Sequence, residues 1–278
     1  MNRSQFTQAF LTRAQKRYPS YSFEVIGELV VKVRQDPELP SMLEVLLESA
    51  FFRYEQDPTA LNSILENRIV LIEETFEKSG TVDAARILPT LKSLSFMESV
   101  RGQAGRFKQK SDENSWPIVA EELLEGVFIC YAFDDENGLR FLTAADPAKL
   151  GMTISEIRAQ ALTNLNAHVA KTGIKIHELS NTAPARIFLP ELDGVYESSL
   201  LLMPQTHALL KTLVRGDVVA YCATRNIVVI TGTEEHRGVA IAGELARSAF
   251  ADQPYAILDW PMVLRNGVWQ RFMPPGAH

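Results

Sequence analysis

Glu197 and Ser199 stand two residues apart in a run that continues into Leu200, Leu201, Leu202 and Met203. Read as a strand, this run sends Glu197, Ser199, Leu201 and Met203 to one face and Tyr196, Ser198, Leu200 and Leu202 to the other. A carboxylate beside a hydroxyl on a half-apolar surface is the makings of a ligand site, or of a general base with a helper. The competing reading is a polar strand start whose side chains bond the adjacent turn. Arg225, at the tip of a second hairpin, has the fork geometry to receive a carboxylate or another anion, or it is an exposed turn residue. Asp193 and Asp217 border turns, where accepting backbone N–H groups accounts for them. His207 and His236 flank that second hairpin and are the candidate acids or bases. His168 lies on an apolar helical stripe and reads as a partly buried structural residue. The candidate binding set is therefore Tyr196, Glu197, Ser199, Asp217, Arg225, His207 and His236.

These residues are carried by alternating hairpins and helices. Asp193-Gly194, Arg225-Asn226, Glu136-Asn137-Gly138 and Asn266-Gly267 each separate two apolar runs, the short-loop signature of a hairpin. Pro204 suits the first turn of a helix, which Gly216 is expected to end. VVAYCA and IVVI are nearly continuous apolar runs, as expected of strands covered on both faces. Thr153 and Glu156 form a capping box ahead of the stripe Ile154, Ile157, Ala161, Leu165 and His168. IKIHEL reads as a strand, and Val239, Ala242, Leu245, Ala246 and Ala249 mark a late helix.

Towards the N-terminus, residues 4–17 read as a helix with Phe6, Ala9, Phe10 and Ala14 inward. YSFEVI and ELVVKVRQ then form two strands turning at Gly27. Pro40, Ser41 and Glu44 open a helix striped by Leu43, Leu46, Leu47, Ala50, Phe51 and Tyr54. Asp57-Pro58 opens another, lined by Leu61, Ile64, Leu65, Ile72 and Phe76. The pattern weakens from Val82, where RILPTLKSLSFMESV holds one strand. RGQAGRFKQKSDENS after it is polar and aperiodic. The fold class expected is α+β: a helix-hairpin-helix-helix region over residues 1–97, a polar linker over 98–117, and a mainly antiparallel hairpin-helix domain over 118–278.

Composition narrows the function classes. Net charge is -6 over 278 residues, which argues against a general nucleic-acid binder. Locally the sign reverses. No acid occurs from Met1 to Phe23, and Arg101, Arg106, Lys108 and Lys110 cluster in the polar stretch. The first feature reads as a surface helix, or resembles a transit peptide. The second reads as a solvated loop, or as a contact for nucleic acid or an acidic partner. No apolar run is long enough for a membrane span. Cys130 and Cys222 form neither a disulfide framework nor a zinc knuckle, so a reducing, cytoplasmic setting is expected. HExxH, GxSxG, GxxxxGK[ST] and GxGxxG are all missing, so no metal and no cofactor is expected.

Several segments together resemble the uncharacterised bacterial YtpQ-like family, a domain of unknown function, over nearly the whole chain. They are Arg17-Tyr18-Pro19, Phe52-Arg53-Tyr54, Arg86-Ile87-Leu88-Pro89, Leu150-Gly151-Met152-Thr153 with Ala161 through Leu165, Tyr196-Glu197-Ser198-Ser199, and Gly216-Asp217-Val218-Val219-Ala220 leading to Arg225. Ser198 replaces the alanine usual in that family, and Asn226 replaces an aspartate after the arginine. The second change weakens a charged pair at Arg225. The resemblance implies no activity. Two functions follow from the residues: a cytosolic module that binds a protein partner, or an enzyme centred on Glu197, Ser199 and Arg225 with a histidine. The module would use a sheet face or edge, helped by the Arg101–Lys110 loop or by Trp260-Pro261-Met262.

Overall fold

The computed structural model describes the chain apart from residues 36–42, 78–81, 106–115, 136–137, 181–183, 253–254 and 275–278. The described residues form eight α-helices and thirteen strands. In order these are α1 (Arg3–Arg17), β1 (Ser22–Gly27), β2 (Val30–Arg34), β3 (Leu43–Leu46), α2 (Glu48–Gln56), α3 (Leu61–Glu77), β4 (Ile87–Ser93) and α4 (Leu94–Gly105). There follow β5 (Ala120–Leu124), β6 (Val127–Asp135), β7 (Gly138–Phe141), α5 (Asp146–Leu150), α6 (Ile154–Thr172), β8 (Lys175–Ser180) and β9 (Ile187–Glu191). The last are α7 (Pro204–Leu213), β10 (Val218–Cys222), β11 (Val228–Gly232), α8 (His236–Asp252), β12 (Met262–Arg265) and β13 (Val268–Arg271). One seven-stranded sheet runs β1-β2-β3-β7-β6-β4 with β5 beside β6, and one six-stranded sheet runs β13-β12-β10-β11-β9-β8. The strands are antiparallel, and the α+β class expected from the sequence holds.

The chain divides into two compact units. The first comprises Met1–Leu88, Ser99–Val119 and Tyr131–Gln160. Its core gathers Phe6, Phe10 and Ala14 of α1 against Val31 and Val33 of β2, Leu43 and Val45 of β3, and Leu65, Ile69 and Ile72 of α3. Asn2 and Gln5 close a reciprocal capping box at the start of α1. The expected helix from Ser41 is corrected here. Leu43–Leu46 is a strand between β2 and β7, and α2 begins only at Glu48. The helical stripe and the strand alternation share Leu43, and the neighbouring strand edge decides between them. The proposed Pro40–Ser41 cap lies outside the described residues.

The second unit comprises Pro89–Glu98, Ala120–Cys130 and Ala161–His278. Its six-stranded sheet has β10 and β11 at the centre, every residue of both buried. Helix α8 covers one face, with Val239, Ala242 and Ala246 on Ile187, Val219, Tyr221 and Val229. Leu245, assigned to the same stripe, is exposed instead. The β10–β11 and β12–β13 hairpins form as expected, and Asn266 and Gly267 both take positive φ. Two expectations fail. Asp193-Gly194 joins no strand pair, because β9 runs between β8 and β11 and then leaves the sheet. The run after it is no strand either. Ser198–Leu202 is a 3₁₀ turn leading directly into α7. RILPTLKSLSFMESV holds the expected strand, β4, and the start of a helix, α4, that the periodicity did not reveal.

Candidate functional site

Glu197 is the organising side chain of the second unit's loop region. It is 2% exposed, and its Oε1 accepts the backbone N–H groups of Leu192, Asp193 and Gly194 at 2.9, 3.0 and 2.7 Å. Three donors on one carboxylate oxygen fold residues 192–197 into a loop around it, with Gly194 at φ 82°. Because this stretch is a turn, Glu197 and Ser199 do not share a strand face. Ser199 is fully buried and donates to the Pro89 carbonyl at 2.8 Å. That bond anchors the 3₁₀ turn to β4.

Asp193 works beside Glu197. Its Oδ1 accepts from the N–H groups of Val195 and Tyr196, and Oδ2 lies 2.6 Å from His168 Nε2. Burial pushes this carboxyl up, but the His168 bond and the two N–H groups outweigh it and leave it below its ordinary value. Tyr196 is buried, with its ring edge-on to His168 at 5.5 Å.

Arg225 is corrected from exposed hairpin tip to buried residue, 3% exposed. Its carbonyl accepts from Ser198 N–H at 3.0 Å, and its own N–H donates to Tyr255 O at 3.2 Å. These bonds draw the β10–β11 loop inward, while Asn226 at the tip stays exposed. The guanidinium stacks 3.9 Å from the Tyr255 ring centroid, and Lys92, 4% exposed, sits 5.4 Å from the same ring and 4.6 Å from Phe96. Tyr255 has φ 64°, a left-handed conformation costly for an aromatic residue. Among the described residues, Thr90 Oγ1 on the strand of Lys92, and Glu197 Oε2 and Ser198 Oγ in the turn bonded to Arg225, are buried polar atoms with no hydrogen-bond partner. Lys92, Thr90 and Tyr255 were not picked out from the sequence. The one available signal was a lysine inside the apolar strand run LPTLKSL.

The remaining candidates lie apart. Asp217 precedes β10 while Arg225 follows it, which separates them by about 16 Å or more of strand. Asp217 pairs with Arg265 at 3.2 Å, and its backbone N–H donates to the Thr233 hydroxyl oxygen at 2.9 Å. His207 bonds the Leu201 carbonyl at 2.6 Å and meets Trp269 edge-on, and Trp269 Nε1 donates to that same carbonyl at 2.7 Å. His236 is exposed at the first turn of α8. The Ser198–Arg225 backbone bond brings Glu197, Ser199 and Arg225 into one neighbourhood, His207 bonds the far end of the same turn at Leu201, and Asp217 is engaged instead with Thr233 and Arg265. No group of three metal-ligating side chains occurs among the described residues.

The chain is similar to uncharacterised bacterial proteins named UPF0354. It is 26% identical over 220 residues to the Listeria welshimeri protein, covering 77% of this chain and 75% of that one. A Bacillus cereus relative is 23% identical over 185 residues, and this match spans 62% of that protein's length. A Bacillus anthracis relative is 23% identical over 184 residues, with the same 62% coverage. No family model matches the chain, and no solved structure does.

Proposed function

We propose that this protein is a binding module of the YtpQ-like kind, working in the cytoplasm on a protein partner rather than as a catalyst. What carries the reading is the occupation of the candidate reactive atoms. Glu197 Oε1 holds three backbone N–H groups, Ser199 Oγ holds the Pro89 carbonyl, and His207 Nε2 holds the Leu201 carbonyl. A base or nucleophile committed to such bonds serves the loop it closes, and His168 beside that loop is bonded to Asp193 rather than to Glu197. The edges β8 and β13 expose Leu179 and Val268, which suits pairing with a partner.

One observation favours a second reading, an enzyme or ligand site at Glu197, Ser199 and Arg225. The unpartnered Glu197 Oε2, Ser198 Oγ and Thr90 Oγ1 are polar atoms a small ligand would satisfy. The test compares folded Glu197→Gln with wild type in a thermal-shift scan of metabolites and in partner capture. A lowered Tm with partner capture retained supports the module. A normal Tm with loss of a metabolite-induced shift transfers the site to the second reading.

A further inference from the structure

The first unit carries a groove between α1 and α3 that no part of the reading above uses. Arg13, Lys16 and Arg17 line one wall, Asn62 and Glu66 the other, around about 440 Å³ open to solvent. Their spacing follows from helix geometry. Phe6, Phe10 and Ala14 turn α1's apolar stripe inward, so positions 13, 16 and 17 come together beside it, facing α3. Two rungs then fix the guanidinium groups. Arg13 Nη2 donates to Asn62 Oδ1 at 2.7 Å, and four residues on along both helices Arg17 Nη1 meets Glu66 Oε1 at 3.2 Å. Arg17 also lies over the Tyr18 ring at 5.7 Å. Lys16 is exposed between the rungs, with no ionic partner among the described residues.

Two of these cations offset the carbonyl end of α1, as last-turn cations do. That role needs neither Arg13 nor the Asn62 rung. The charge is sorted as well as clustered: the chain is net negative, yet no acid occurs before Glu24. The surface at this helix is positive while the molecule as a whole is not.

We propose that this groove docks an extended acidic segment of a protein partner, an inference that rests on the binding-module reading and names its surface. Arg13 and Arg17 are about 6 Å apart along the helix axis. In an extended peptide, side chains on one face repeat about every 6.6 Å, so carboxylates at alternate residues match that spacing. Exposed cations hold a lone anion weakly, whereas a segment presenting carboxylates in series engages all three together.

The experiment measures anisotropy of a labelled peptide of alternating Glu and Ser against the full-length protein at low and physiological salt. Wild type is expected to bind with affinity falling as salt rises, and Arg13→Glu/Lys16→Glu to raise Kd about tenfold or more. Circular dichroism and Tm establish that the variant is folded. If loss of the Asn62 rung unfolds it, Lys16→Glu alone carries the test, since that side chain holds no bond among the described residues. Equal binding by a folded variant overturns the inference, as does displacement of the peptide by inorganic phosphate at equal concentration. A natural partner that still binds Lys16→Glu with unchanged affinity removes the groove but leaves the binding module standing.

Discussion

Glu197 shows how one side chain decides a local fold. Three N–H groups, one buried and two part-buried, converge on one of its oxygens. Glu197→Ala strands all three, and the expected loss is about 3 kcal/mol or more of unfolding free energy. Urea denaturation monitored by tryptophan fluorescence checks it. Glu197→Gln keeps an acceptor and should cost less. Asp193 makes a second prediction at this scale. Its carboxyl is held below its ordinary value, so it contributes stability above the unfolded pKa of about 4. That contribution is lost as pH falls through the lower, folded value. Asp146 acts with the same sign: burial pushes it up, but the Thr143 N–H and Arg140 more than offset that. Asp193→Asn should therefore flatten the acid limb of a Tm-against-pH curve and leave Asp146's share of it intact. An unchanged acid limb would refute the assignment. From sequence, Asp193 was legible as a turn residue, and its bond to His168 was not, because twenty-five residues separate them.

Among the elements, the central hairpin shows what patterning determines and what it leaves open. The apolar runs of β10 and β11 are buried as read, and the loop between them falls where Arg225 and Asn226 indicate. The fate of Arg225 was not readable, because Ser198 and Tyr255 pull its backbone inward from distant parts of the chain. The misread strand after Tyr196 has the same origin. LLLM fits a strand, a helix or a 3₁₀ turn, and the Glu197 bonds select the last. At the other end of β11, a Cβ on Gly232 would strike the Arg215 backbone, which cannot move aside as a flexible side chain can. Gly232→Ala is expected to lower stability by about 1–3 kcal/mol, read from chemical denaturation. Gly267→Ala, with open space at its Cβ, pays only for its positive φ and should cost less.

At the scale of the whole molecule, both cysteines lie inside the packed structure. Cys130 Sγ is 3.5 Å from Met97 Sδ, and burial pushes the Cys222 thiol up to about 12. Ellman titration of the native protein should find no fast-reacting thiol, and two after denaturation. A fast native thiol would mean that one unit opens readily. The sequence by itself determined the α+β class, because corners such as Arg225-Asn226 and Asn266-Gly267 and the apolar runs they join are local signals. It determined the positive, acid-free first helix for the same reason. Only the tertiary structure decided that β3 is a strand, that Arg225 is buried against Tyr255, and that Lys92 joins it. Those outcomes depend on which distant backbone supplies a donor, an acceptor or a ring, and local spacing carries no record of that.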